Sequence, residues 1–270
     1  MNRTIGMNEK YTPEIPNDDA AIVIDWYRNP ACGICQDIQG LTLAVVPIGV
    51  FLQNYLPGIP VEGLDQARPL AIMACDFAHP LLAPAELARV NTFKSRKRQV
   101  EWLAGRLAAK SLAGICMDDT MALPDVGIAY HPKGAPYLEH RPDLPLSISH
   151  AGGCAVAGLG HSNQESLGLD IEQKRDLGIE SILPVAFSDR ERQNMDPGDQ
   201  DRFFACWTLK EAYLKYLGRG FHDNLKKVEI LDADTIRHHG KIAAGLRIQL
   251  LRPFPQYTLA IVAGPRPAMM

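Results

Sequence analysis

A dominant charge of either sign is what this chain most plainly lacks. Its 28 Lys and Arg against 31 Asp and Glu leave a formal charge of −3. That bias is too small for a protein dedicated to nucleic acid or to a membrane surface. Any anion site must come from local clustering. Long hydrophobic runs are missing as well: the most apolar stretch, Leu41 to Leu52, is too short to cross a bilayer. The polar start, Met1 to Lys10, has no apolar core of a secretory signal. Cysteine is sparse, six residues with only Cys32 and Cys35 close together. Their spacing suits a redox pair or half of a zinc site. No second ligand pair follows nearby, and the local Pro and Gly do not clearly set up a strand-to-helix redox turn, so two incidental thiols in a turn is the favoured reading. No membrane or nucleic-acid partner is expected, and a reducing cytoplasm is the default location.

What is present is ordinary globular material. At 46% hydrophobic and 22% charged, the 270 residues can bury a sizeable core as one large domain or two smaller ones. Residues 1 to about 20 read as a polar leader. Leu41 to Leu52 and Pro69 to Cys75 have strand-like content, and Val61 to Arg68 reads as a linker or short turn. Pro84 suits the first turn of a helix over Ala83 to Phe93, and Val100, Leu103, Leu107 and Leu112 carry a helical period through Gln99 to Cys116. Cys154 to Gly160 and Ser166 to Glu172 are expected to form a hairpin across His161 to Glu165. Ser188-Asp-Arg-Glu191 is a capping box. A long helix begins near Asp199, and strands follow at Val228 to Asp232, Leu246 to Leu251 and Tyr257 to Ala263. A coarse echo of strand, helices and strands between residues 69–150 and 154–263 suggests duplication.

Four stretches can carry chemistry. In Gly168-Leu-Asp170-Ile-Glu172 strand alternation puts both carboxylates on one face and Ile171 in the core. The pair is either a divalent-cation site, with substrate phosphates completing the shell, or a polar strand end facing water. In Trp207-Thr-Leu-Lys210-Glu211-Ala-Tyr-Leu-Lys215, helical spacing brings Glu211 and Lys215 to one face while Trp207, Leu214 and Leu217 anchor the helix. Gly218 is placed for a left-handed C-terminal cap, and Gly220 keeps the next loop compliant. Ser147-Ile-Ser149-His150-Ala-Gly-Gly153 ends a strand in small residues and an imidazole that suit a close phosphate, although a lone histidine is more often structural. The basic group Lys94 to Arg98, continued by Arg106 and Lys110, is either a solvated helix face or an anion patch.

Together these stretches resemble the 4'-phosphopantetheinyl transferases, most closely the long monomeric type that serves carrier proteins of peptide and polyketide synthesis. The family's Gly-x-Asp-x-Glu matches Gly168 to Glu172, its Trp-x-x-Lys-Glu-Ala-x-x-Lys matches Trp207 to Lys215 at every fixed position, and its Gly-x-Gly matches Gly218 to Gly220. The resemblance covers about residues 69 to 263. It implies an α+β fold, a pseudo-dimer of two similar α/β halves with the active site in the cleft between them. The first half is expected at 69–153 and the second, carrying the motifs, at 154–270, with 1–68 an N-terminal extension of unknown role.

The resemblance also implies roles. Asp170, Glu172 and Glu211 correspond to Mg²⁺ ligands, and Glu211 to a general base for the carrier's serine. Lys215 corresponds to a catalytic lysine on the α-phosphate and Lys210 to a second pyrophosphate contact. His150, with Ser149 before it, corresponds to the residue that meets the 3'-phosphate of coenzyme A. Arg96, Arg98 and Arg106 are local candidates for further contacts there. The turn at Gly134 and Pro136 matches the family's Gly-Lys-Pro with Ala135 in place of the lysine, a contact that Lys133 could supply. Ser147 and Ala151 also depart from the family pattern. The implied activity is transfer of 4'-phosphopantetheine from coenzyme A to a serine of an acyl or peptidyl carrier protein, by a monomer. The alternatives are an inactive coenzyme A-binding or carrier-docking module, and a Mg²⁺-dependent phosphodiester hydrolase using the same carboxylates.

Overall fold

A computed structural model of the chain describes residues 34–37, 40–76, 78–116, 121–218 and 223–267. The expectations for the leader, for Cys32 and for Gly220 fall outside them. The chain is α+β and divides into two compact units, one running to His131 and resuming over Pro136–Asn163, the other comprising Pro132–Ala135 and Gln164 onward.

The first unit contains β1 (Ile34–Asp37), β2 (Leu41–Pro47), α1 (Ile48–Tyr55), α2 (Ala78–Leu81), α3 (Pro84–Val90), α4 (Arg96–Cys116), β3 (Ile128–Tyr130), β4 (Pro136–Leu138), β5 (Leu146–Ala151) and β6 (Cys154–Gly160). The four-stranded sheet runs β1-β2-β6-β5 with every pairing antiparallel. Helix α4 lies on that sheet, and the predicted stripe of Val100, Leu103, Leu107 and Leu112 is fully buried. The apolar run from Leu41 is a strand only as far as Pro47; from Ile48 it turns into α1, which buries Ile48, Phe51 and Leu52. Residues 41–56 thus contribute directly to this core. The strand expected at Pro69 to Cys75 is instead a short 3-10 turn over Ile72–Ala74, and Gln99 holds Leu70 beside it through both amide atoms.

The second unit contains β7 (Glu165–Gln173), α5 (Ile179–Ala186), α6 (Asp189–Gln193), α7 (Gln200–Tyr216), β8 (Val228–Asp232), β9 (Thr235–His238), β10 (Lys241–Ile242), β11 (Arg247–Leu251) and β12 (Tyr257–Pro265). Its main sheet runs β11-β12-β7, and β10-β9-β8 form a second, smaller one. The expected hairpin between β6 and β7 does not form. Strand β6 pairs with β2 and β5, and β7 pairs with β12. The hairpin is β5–β6, because Gly152, at φ +63, and Gly153 make a two-residue turn between Ala151 and Cys154 that suits the strand twist. Cys154 to Gly160, expected in the second half, therefore lies in the first unit's sheet.

Helix α7 starts where expected: Asp199 accepts a hydrogen bond from the Arg202 N–H at 3.0 Å. It ends at the left-handed Gly218, φ +64. Unlike an ordinary amphipathic surface helix, α7 is buried on nearly every side, including Thr208, Lys210 and Glu211. It approaches the sheet closely at Gly168 of β7. A Cβ there would lie 1.9 Å from the Ala212 carbonyl oxygen and 2.3 Å from the Tyr216 nitrogen. Backbone on both sides leaves nothing to yield, so only glycine fits.

Among the described residues no helix is long and apolar enough to cross a membrane. The Gly168 contact predicts that Gly168→Ala lowers unfolding stability by about 3 kcal/mol or more. Gly105→Ala in α4 meets side chains and no backbone, the Ile148 Cγ2 methyl at 2.9 Å and Ala155 Cβ at 4.0 Å, so Ile148 must shift and the cost should be smaller than at Gly168. Chemical denaturation of both variants checks the contrast.

Candidate active site

Strand β7 and helix α7 bring four of the expected residues to one place. Asp170 is paired in register with Ala260 and Glu172 with Thr258. Ile171 between them is buried in the core, and Asp170 is itself only 5% exposed. From α7, Glu211 is also 5% exposed. Lys215 reaches across to Asp170, Nζ to Oδ1 2.8 Å. Helical spacing alone would have paired Lys215 with Glu211, one turn away. The neighbouring strand supplies Asp170 as its ion-pair partner. The Trp207 indole N–H donates to Glu172 Oε1 at 3.1 Å, so the motif tryptophan orients one of the carboxylates as well as anchoring the helix.

These groups are electrostatically strained. Burial first, and the neighbouring Asp170 charge second, push the carboxyls of Glu172 and Glu211 each up to about 7. Lys215 acts in the opposite direction on both without cancelling the shift. Glu211 Oε1 is buried with no hydrogen-bond partner, which is costly for a carboxylate and favours a cation beside it. The donor set, all carboxylate oxygen, suits Mg²⁺. The residues present therefore fit the implied metal, although the carboxylates of Asp170, Glu172 and Glu211 are not gathered to within 4.8 Å of one another.

Lys210 does not join them. It is fully buried, ion-paired to Glu191 Oε2 at 2.8 Å, and donates to the carbonyls of Ala186 at 3.2 Å, Leu225 at 3.1 Å and Val228. Four acceptors around three N–H groups leave nothing for a pyrophosphate. Its place in the motif is structural: it ties α7 to α6 and β8. Glu191 completes the knot by capping Ser188 and accepting the Ile230 N–H at 3.0 Å. The capping-box pattern was the sequence signal for Glu191, but nothing in the pattern pointed to Lys210.

In the first unit, Arg98 and His150 meet. Arg98 Nη1 lies 2.8 Å from His150 Nε2, and His150 Nδ1 lies 3.4 Å from Glu101. Arg98 can only donate, so Nε2 accepts and the ring proton sits on Nδ1 toward the carboxylate. Glu101, which sequence reading missed, thus sets the tautomer. Arg96 donates from Nε to the Arg68 carbonyl at 2.9 Å. Arg106 is withdrawn from any ligand role: only 4% exposed, its Nε sits 3.2 Å from Glu86, Nη1 donates to the Ile128 carbonyl at 3.0 Å, and the guanidinium lies over Trp102 and Tyr130. Lys110 shares Glu86 at 2.5 Å. The basic stripe is therefore a buried ion cluster farther along α4, with exposed Arg98 at its start. Ser149 is buried in β5, Gly134 (φ +91) forms the turn between β3 and β4, and Pro136 begins β4.

The sequence profile of the 4'-phosphopantetheinyl transferase superfamily matches residues 166–261, from β7 into β12. The 4'-phosphopantetheinyl transferase HetI of a Nostoc species is 32% identical over 157 residues, 55% of this chain and 64% of that protein. The 4'-phosphopantetheinyl transferase Sfp of Bacillus subtilis is 23% identical over 164 residues, 59% of this chain and 70% of its own. The holo-[acyl-carrier-protein] synthase of Streptococcus sanguinis is 35% identical over 106 residues, 37% of this chain but 88% of its own.

Two measurements test the site's electrostatics. Removing Lys210 strands a buried Glu191 charge, so Lys210→Ala should cost about 3–5 kcal/mol, much of it recovered in a Lys210→Met/Glu191→Gln double variant. Separately, the folded chain holds protons on Glu172 and Glu211 up to about 7 that the unfolded chain releases near 4.5. With more protons bound in the folded state, stability falls as pH rises through that window. In chelator, the melting temperature should drop across it, and Glu172→Gln/Glu211→Gln should flatten the slope.

Proposed function

The chain belongs to the 4'-phosphopantetheinyl transferase superfamily, and on that premise we propose that it transfers the 4'-phosphopantetheine group of coenzyme A to a serine of an acyl or peptidyl carrier protein. The observation that supports this most is the meeting of Asp170, Glu172, Glu211 and Lys215 where α7 crosses β7, with both glutamates held up to about 7.

The reaction forms a bond from the serine oxygen to the phosphorus that bears pantetheine and breaks that phosphorus's bond to the bridging oxygen, which departs with 3',5'-ADP. The serine must lose a proton near neutral pH, and an ionised carboxylate beside it can take that proton. Glu211 fits that role: without a cation, burial and Asp170 raise its carboxyl, and beside Mg²⁺ the ionised form that accepts a proton would be favoured. Asp170, Glu172 and Glu211 would hold Mg²⁺, which supplies charge neutralisation on the pyrophosphate when bound. Lys215 rests on Asp170 and is about one-quarter exposed. Its ammonium can move onto the phosphate that gains charge as ADP departs. Trp207 fixes the direction of Glu172, and Gly168 sets the strand-to-helix spacing on which the cluster depends.

Arg98 and His150 are proposed to receive the 3'-phosphate of coenzyme A, with Arg96 nearby in sequence. The two units share a plan, a long helix on an antiparallel sheet, which supports the expected duplication and action as a monomer. The competing reading, a coenzyme A-binding module without turnover, is disfavoured by the complete set of Asp170, Glu172, Glu211 and Lys215.

Incubation with coenzyme A, Mg²⁺ and a panel of apo carrier proteins should yield a phosphopantetheine adduct by intact mass. No adduct on any carrier would favour the binding module, and cleavage of coenzyme A without an acceptor would favour hydrolysis. Asp170→Ala and Glu211→Gln should each reduce transfer by about a thousandfold with an unchanged circular dichroism spectrum. Full activity in either would refute its assigned role.

A further inference from the structure

A second group of chemically capable side chains lies in the second unit, outside the motif residues. Asp223 follows α7, His238 ends strand β9 and His239 comes directly after it. One ligand atom from each of the three lies within 4.8 Å of the others. Asp223 Oδ2 is 3.3 Å from His238 Nε2, and Oδ1 is 3.6 Å from His239 Nε2. We propose that Asp223, His238 and His239 form a binding site for a zinc ion, separate from the carboxylates of β7 and α7.

Geometry carries the argument first. Zinc bonds to imidazole nitrogen and carboxylate oxygen are about 2.0–2.2 Å long, so neighbouring ligand atoms on a tetrahedral ion stand about 3.3–3.5 Å apart. The His238–Asp223 separation matches that edge, His239 stands a comparable distance from the other carboxylate oxygen, and one atom from each residue already lies within 4.8 Å of the others. Consecutive strand residues normally point to opposite faces, which would part the two rings. Here His239 leaves the strand in the left-handed region at φ +48, the only non-glycine residue among those described with positive φ. The rings consequently stand 4.4 Å apart. Only small side-chain movements would be needed to close on an ion.

The platform is rigid on the histidine side. Strand β9 is the middle strand of its sheet, and His238 is paired in register with Val228 on one side and Lys241 on the other. The Tyr213 ring of α7 packs edge-on against the His238 ring at 5.4 Å. The His239 N–H is held by the Lys227 carbonyl at 3.0 Å. Donor chemistry then chooses the ion. Two imidazoles and one carboxylate suit zinc and its late first-row neighbours, whereas Mg²⁺ prefers oxygen throughout. Bound there, zinc would tie the chain that follows α7 to the turn after β9, bracing the helix that carries Glu211 and Lys215 from behind.

The test uses the full-length, untagged chain after exhaustive chelation. Zn²⁺ titration by calorimetry should show binding that raises the melting temperature. Co²⁺ as a probe should give the intense visible absorption of a tetrahedral site. His239 is exposed, so His239→Ala should keep the fold, checked by circular dichroism in chelator, while weakening this Zn²⁺ binding by about tenfold or more. His238→Ala and Asp223→Asn should do the same, and Glu211→Gln should leave the Co²⁺ spectrum unchanged. Absence of Zn²⁺ binding, wild-type affinity in both His239→Ala and Asp223→Asn, or loss of the Co²⁺ band in Glu211→Gln would overturn the proposal.

Discussion

The approach of α7 to β7 at Gly168 is the constraint on which the candidate site depends. With no side chain at that position, the helix backbone comes into contact with the strand, and a single added carbon would strike the Ala212 carbonyl. This closeness lets Lys215 on the helix reach Asp170 on the strand, and lets the Trp207 indole reach Glu172. It also places Glu211 where the Asp170 charge is felt. The glycine of Gly-x-Asp-x-Glu is therefore a spacing device for the two acids that follow it.

The molecule's buried charges fall into two kinds. Lys210 with Glu191, and Arg106 and Lys110 with Glu86, are enclosed pairs of opposite charge whose cations also donate to nearby carbonyls. Such pairs stabilise only as complete sets, since losing one partner leaves an uncompensated charge. The Asp170, Glu172, Glu211 and Lys215 group is different: negative charge is in excess, Glu211 keeps a buried oxygen without a hydrogen bond, and two carboxyls are displaced toward neutrality. An incompletely compensated group is what a site that recruits a cation and moves a proton requires.

The superfamily profile matches from β7 into β12, within the second unit, and the Streptococcus sanguinis protein is covered over 88% of its length by 37% of this chain. The longer relatives match over 55% and 59% of it. The first unit adds its own helix-on-sheet core and the Arg98–His150–Glu101 chain.

The sequence by itself determined the parts that obey local rules. The period of α4, the caps at Asp199, Ser188 and Gly218, and the alternation of Asp170, Ile171 and Glu172 follow from backbone geometry that a few neighbouring residues set. The motif spacing was enough to identify the family. Tertiary structure alone decided partners distant in the chain. Strand β6 pairs with β5 through the Gly152–Gly153 turn and with β2 across the sheet, and not with β7 across His161. Lys210 and Arg106 turned inward because Glu191 and Glu86, many residues away, offered buried carboxylates. Lys215 found Asp170 because Gly168 let two backbones touch. A one-dimensional pattern specifies which face a side chain occupies, and the charge waiting on that face is set by packing.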